Sequence, residues 1–182
     1  VAAAAYDEEK LPPGQEPALD FVGSNSLPKS PYAFAAHVAV VEVSQENGTV
    51  KILKYIGVHD SGRIINPMLA EGQAQGAIAQ GIGQALWEGM EYSPEGQPLT
   101  GSLMDYALPK TTNMPDMDLD TIETLSELTP WGLKGIGELP TLAAPVAVAN
   151  AVMDALSGLG IRHIDTPLTP EKIWQAMQAA RK

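Results

Sequence analysis

The 182-residue sequence contains no cysteine. That excludes disulfides, thiolate nucleophiles and any iron–sulfur cluster held by the chain's own thiolates. Basic residues are few, 11 against 22 acidic, for a formal net charge of −11. They form no cluster, so a nucleic-acid backbone and an anionic membrane surface are both excluded as natural partners. No run of 18 apolar residues is visible, which predicts no membrane span. The opening "VAAAAYDEEK" lacks the basic start of a signal peptide, and a cytoplasmic location is the expectation. Three histidines, His37, His59 and His163, stand far apart in the sequence with no ligand spacing between them, so none is expected to bind metal. "HDS" (59–61) holds the residue types of a hydrolytic triad, but adjacent positions cannot reach one another in triad geometry.

Glycine (17) and proline (15) are plentiful, and 45% of residues are hydrophobic against 18% charged. This is the composition of a globular chain rich in element boundaries. Residues 1–31 are polar and Pro/Gly/Ser-rich and read as an extended linker; residues 32–182 read as the folded portion. "YAFAAHVAVVEV" and "TVKILKYIGVHD", joined by "SQENG", predict a β-hairpin. The first strand is apolar on both sides, which predicts cover on both faces. "EYSPEGQPLTGSLMDYALP" (91–109) predicts a further strand pair, and "DMDLDTIETL" (116–125) an edge strand. Helices are predicted near 70–87, 142–156 and 170–182. The last is capped by Thr169, with Pro170 at its first position and Ile173, Trp174 and Met177 on one face. The fold class is α+β, mixed hairpins packed with two to three helices.

Two stretches carry chemistry. In "AEGQAQGAIAQGIGQALWEG" (70–89) a helical period puts Gln73, Gln80 and Gln84 within roughly 40° of one another, opposite Ile78, Ile82 and Leu86. A solvated helix face would carry charge. Four glycines (Gly72, Gly76, Gly81, Gly83) each cost about 1 kcal/mol against alanine. Close approach of a neighbouring element or of a bound group would compensate them. In "WGLKGIGELPTLAAP" (131–145) a single carboxylate, Glu138, lies between Gly132, Gly135 and Gly137 and an uncharged, proline-bracketed run. One reading is an acid at a helix N-terminus. The other is a general base in an apolar pocket, where desolvation strengthens proton binding by a carboxylate. Lys134 either tunes that charge or sits in solvent. A two-carboxylate hydrolase would need Glu123, Glu127 or Asp165 beside Glu138.

Taken in order, "PYAFAAHVAVVEV", "HDSGRIINPMLAEGQAQGAIAQGIGQAL", "YSPEGQPLTGSLMDYALP", "GLKGIGELPTLAAPVAVANAV" and "IRHIDTPLTPEKIW" resemble the C-terminal part of the molybdopterin-binding subunit of the xanthine oxidase, aldehyde oxidase and aerobic carbon monoxide dehydrogenase family. The resemblance implies a molybdenum–molybdopterin cofactor, as the pyranopterin alone or its cytosine dinucleotide form. It makes Glu138 the base that activates water-derived oxygen for attack on an aldehyde, N-heterocycle or similar small substrate. Gln80 becomes a pyranopterin contact, joined by Gly81, Gln73, Gly135 and Gly137. No metal ligand is implied in this chain. Iron–sulfur clusters and FAD are implied on partner domains or subunits, and the remainder of the molybdenum subunit is itself a partner. The chain is then expected to be a fragment or half of a divided subunit, inactive alone. The competing reading is a non-catalytic structural domain derived from that family.

Overall fold

The computed structural model describes residues 2–19, 22–24, 26 and 29–181. One helical turn, α1 (Ala2–Ala5), and a 3-10 turn at Glu8–Lys10 precede a stretch without regular structure; six positions of the expected linker (1, 20, 21, 25, 27 and 28) lie outside the described residues. The hairpin follows its alternation. β1 (Phe34–Val43) and β2 (Val50–Asp60) are antiparallel, and β3 (Met117–Ile122) lies parallel to β2, giving the order β1-β2-β3. β3 is thus the edge strand its alternating aspartates predict, with Lys54 Nζ 2.9 Å from Asp118.

α2 (Pro67–Leu86) opens on Asn66, whose Oδ1 accepts the Leu69 N–H at 3.1 Å, with Pro67 in the first turn. α3 (Leu139–Leu156) starts three residues earlier than its apolar run suggests, because Pro140 is accommodated in the first turn, where no amide donor is needed. It ends through a 3-10 turn at Gly160, φ +77°. α4 (Pro170–Ala180) is capped by the Thr169 hydroxyl. α2 and α3 pack on each other, and α3 covers β1. Between them Tyr55, Ile78, Ile82, Val148, Val152, Leu168, Ile173 and Met177 are fully buried. Each aliphatic side chain so buried stabilises the fold by roughly 1.5–3 kcal/mol.

Three expectations are corrected. The 91–109 segment forms one isolated bridge, Tyr92 to Pro98, and no strand pair. Ser93 there turns its hydroxyl onto Glu95 and the Gln97 N–H, closing a polar loop in place of a ladder. Trp174 does not share the core face of Ile173 and Met177 but stands 42% exposed. The sheet is covered on one face among the described residues: Ala35, His37, Ala39 and Val41 turn inward, while Phe34, Val38 and Val40 are exposed. Leu139–Leu159, though not an unbroken apolar run, is long and apolar enough by length and composition alone to cross a membrane, with mean hydropathy 1.5. Its Pro140, Ala144, Val148, Val152 and Leu156 form a buried stripe, which is how a core helix meets its neighbours.

Two of the four α2 glycines are explained by packing. A Cβ at Gly81 would lie 2.6 Å from Ala144 Cβ and 2.9 Å from Pro145 Cδ, and one at Gly83 would meet Glu88 and Pro109. Gly81→Val is therefore expected to force the two helices apart and cost about 1–3 kcal/mol, read as a lower thermal midpoint of the assembled protein.

Candidate functional site

The Gly-rich loop before α3 is fastened to the end of β2. The Lys134 N–H donates to the Ser61 carbonyl at 2.9 Å, the Arg63 N–H donates to the Gly132 carbonyl at 3.3 Å, and Gly62 bridges Leu133. Two glycines make this approach possible. Gly62 (φ +64°) would place a Cβ 2.0 Å from the Gly132 oxygen, and Gly132 (φ +75°) would place one 2.7 Å from the Leu125 side chain. Both positive φ and the absent side chain are required there.

Side chains complete the fastening. Lys134 Nζ lies 3.2 Å from Asp60 Oδ2, with the two side chains only 7% and 3% exposed. It also donates to Thr124 Oγ1 at 2.7 Å and lies 5.0 Å from the Phe34 ring centroid. Lys134 is therefore neither in solvent nor paired with Glu138. Burial pushes the Asp60 carboxyl up, but the Thr124 hydroxyl, the Gly62 and Thr124 amides and the Lys134 ammonium together hold it well below the usual carboxylate range.

Glu138 stands at the N-cap of α3 and makes no capping hydrogen bond with its side chain. It is exposed, so the apolar pocket expected around it is absent among the described residues: its neighbours Gly135 and Gly137 have no side chains, and the apolar run that follows turns its buried stripe towards α2 and β1. The loop nevertheless meets the glutamine row. A Cβ at Gly137 would sit 3.6 Å from Gln73 Nε2, and Thr141 Oγ1 donates to the Ala77 carbonyl at 3.2 Å. Gln73, Gln80 and Gln84 are exposed on one face of α2, and Ile78, Ile82 and Leu86 are buried opposite. Cβ positions at Gly72, Gly76 and Gly135 have nothing within 4 Å. Gly81 is not part of this open surface; it lies against α3. Glu123 pairs with Arg63 at 3.3 Å and Asp165 with His163 at 2.8 Å.

The histidines are a correction of another kind. His37 Nε2 and His59 Nε2 are 2.8 Å apart, and His37 Nδ1 is 2.7 Å from the Tyr55 hydroxyl. The register opposes His37 to Gly57, and the bare backbone there leaves room for both imidazoles. Burial and the neighbouring His59 lower His37 from 6.5 to about 4; burial also lowers His59 and raises Tyr55. His59 thus partners His37 while Asp60 partners Lys134, so neither joins Ser61 in a triad.

These shifts set a pH dependence. A folded-state pKa below the unfolded one means that the unfolded chain binds more protons, so stability is full above the unfolded pKa and is lost on acidification. Stability is expected to fall first between pH 6.5 and about 4 as His37 resists protonation. A second decline follows below about pH 4, where Asp60 protonates in the unfolded chain. Thermal unfolding against pH checks both, and His37→Phe should shrink the upper decline to the part that the buried His59 contributes, leaving the lower one unchanged.

The sequence profile described as "Molybdopterin cofactor-binding domain" matches residues 1–115. The chain belongs to that family. It is 41% identical over 177 residues to the nicotine 6-hydroxylase large subunit of Paenarthrobacter nicotinovorans, covering 97% of this chain and 22% of that protein. Among solved structures, quinoline 2-oxidoreductase from Pseudomonas putida 86 superposes with a TM-score of 0.87 at 39% identity, covering 97% of this chain and 22% of that one. Carbon monoxide dehydrogenase from Oligotropha carboxidovorans gives 0.89 at 30%, covering 99% and 22%. The chain thus corresponds to a part of the molybdopterin-binding large subunit of the xanthine oxidase, aldehyde oxidase and carbon monoxide dehydrogenase type, and spans about a fifth of the length of these relatives. Its α+β fold is that of the matched portion.

Proposed function

We propose that the chain forms one wall of a molybdopterin hydroxylase site acting on an N-heteroaromatic substrate, with Glu138 as the base. The observation that supports this is the approach of Gly137, the residue before the Gly-rich loop's only carboxylate, to the Gln73 amide on an uncharged helix face. That face suits the pterin: glutamines offer donors and acceptors together, and Gly72, Gly76 and Gly135 leave backbone open to a bound group. Gln73, Gln80, Gly135 and Gly137 would hold it, as the pyranopterin or its cytosine dinucleotide form; Gly81 supports the cradle by letting α3 approach. When bound, the cofactor supplies the activated oxygen and takes up the electron pair.

The rest belongs to this chain. Glu138 accepts a proton at its carboxylate and releases it after turnover. Its missing cap bond leaves both oxygens available for that. Overall a ring C–H bond is replaced by C–O from water, and two electrons and two protons leave, the electrons towards iron–sulfur and FAD partners in a cytoplasmic complex. The heteroaromatic class is favoured over carbon monoxide or aldehydes because nicotine- and quinoline-acting relatives share 41% and 39% identity, against 30% for the carbon monoxide enzyme. In the assembled enzyme, quinoline turned over in ¹⁸O-water should give a labelled hydroxylated ring. Unlabelled product, or no product from any heteroarene, would refute the reading. The remaining alternative, a structural domain, predicts an assembly without molybdenum.

A further inference from the structure

We propose that the open edge and outer face of β1 receive one extended strand from the rest of the molybdopterin-binding subunit, so that the three-stranded sheet of this chain becomes at least four-stranded in the assembled enzyme. This interface stands on the sheet and on the family assignment, independently of Glu138 and of any catalytic step.

The two edges of the sheet differ. Ala36 opposes Val58, which lies beside Asp120, and Val38 opposes Ile56, which lies beside Asp118. The outer face therefore runs from apolar at β1 to acidic at β3. Charge on an edge strand keeps further strands away, so β3 is guarded. β1 is not. Its ten residues, "FAAHVAVVEV", include no lysine, proline or glycine, and the one acid, Glu42, stands next to the end. The register irregularity puts its extra residue, Leu53, in β2 and not on the open edge. Among the described residues β1 pairs with β2 alone, which leaves about half of its backbone donors and acceptors without a ladder partner.

Burial points the same way. Phe34, Val38 and Val40 are 61%, 56% and 47% exposed on the outer face, and a contiguous apolar strip of this kind marks an interaction surface. α3 packs on β1 far more than on β2, so it lies under this edge of the sheet. It carries no charged residue before Asp154 and leaves Leu142 and Val146 exposed. A strand added beside β1 continues the sheet over an apolar helix. The occupant follows from length. In quinoline 2-oxidoreductase and carbon monoxide dehydrogenase the matched portion is 22% of a longer chain. The remainder of such a subunit is the nearest source of an extended segment with apolar residues at every second position, the kind that adds to a sheet edge through main-chain hydrogen bonds.

The test uses the assembled enzyme. Val38→Cys, placed in a chain with no cysteine of its own, is treated with a maleimide, and the label is read at position 38 by peptide mass spectrometry. Glu46→Cys, in the exposed hairpin turn, is the control. Position 38 should react at least about 10-fold more slowly, because a covered side chain meets the reagent only through local opening. The difference should vanish on unfolding. Residue-resolved hydrogen exchange should find every β1 amide slow, where a free edge gives alternate slow and fast amides. A benzophenone side chain at position 40 should cross-link to a segment of the same molybdopterin-binding subunit outside residues 1–182. Equal labelling at 38 and 46, alternating exchange along β1, or cross-links to a second copy or to another subunit would each overturn the proposal. Should either altered protein fail to assemble, exchange in the unmodified enzyme decides alone.

Discussion

Glu138→Gln is expected to lower turnover of the assembled enzyme by at least about 100-fold, the lower bound for loss of a positioned base, with molybdenum content unchanged. The substitution keeps the size of the side chain and its place at the α3 N-cap. It removes only the ability to accept a proton. Stability should hardly move, because the Glu138 side chain makes no capping hydrogen bond that could be lost. The measurement is kcat with cofactor occupancy matched between the two proteins. Near-normal kcat would remove Glu138 from the chemistry and leave it as an acid near a helix N-terminus.

Lys134→Met should be the most damaging change to the fold of the site. The ammonium is 7% exposed and faces a carboxylate that is 3% exposed. Removing one member of such a pair leaves the other charge buried and typically costs about 3–5 kcal/mol. Asp60 would keep the Gly62 and Thr124 amides and the Thr124 hydroxyl, which puts the expected loss near the lower end of that range. The thermal midpoint of the assembled protein should fall, and turnover with it, because the loop that bears Glu138 loses its anchor to β2. Asp60→Asn combined with Lys134→Met should cost less than the sum of the single changes, the mark of two groups in direct contact. Strict additivity would mean that the pair does not act as one unit.

Local pattern explains why much was readable beforehand. The hairpin, the edge strand with its aspartates, and the cap at Thr169 depend on residues within a turn or two of one another. The division of α2 into an amide face and an aliphatic face follows from the same short-range periodicity. Failures came where the signal was weak or misleading. The proline-rich stretch 91–109 carries strand-like residues without a partner to pair with, and α4 buries Ile173 and Met177 but turns Trp174 outward. The glycines of α2 looked alike in sequence, yet Gly81 and Gly83 meet neighbouring elements of the chain while Gly72 and Gly76 face open space.

The histidine pair shows the limit most clearly. Continuing the register from Val43 opposite Val50 would set His37 against Ile56, with His59 on the other face. An irregularity where Val40 faces Lys54 and Val41 faces Ile52 shifts the count by one, so His37 opposes Gly57 and both imidazoles fall on the same side.

The amino-acid sequence alone determined the family, the α+β class, the amide row on α2 and the candidacy of Glu138, because ordered motifs and periodicity are properties of neighbouring residues. Only the tertiary structure decided that Lys134 pins the loop to Asp60, that Gly81 serves helix packing, and that, among the described residues, Glu138 is exposed and the buried Ser61 hydroxyl has no partner. Each of these joins positions tens of residues apart, and no local propensity says which distant groups the packing of sheet, helices and loop will bring within a few ångströms.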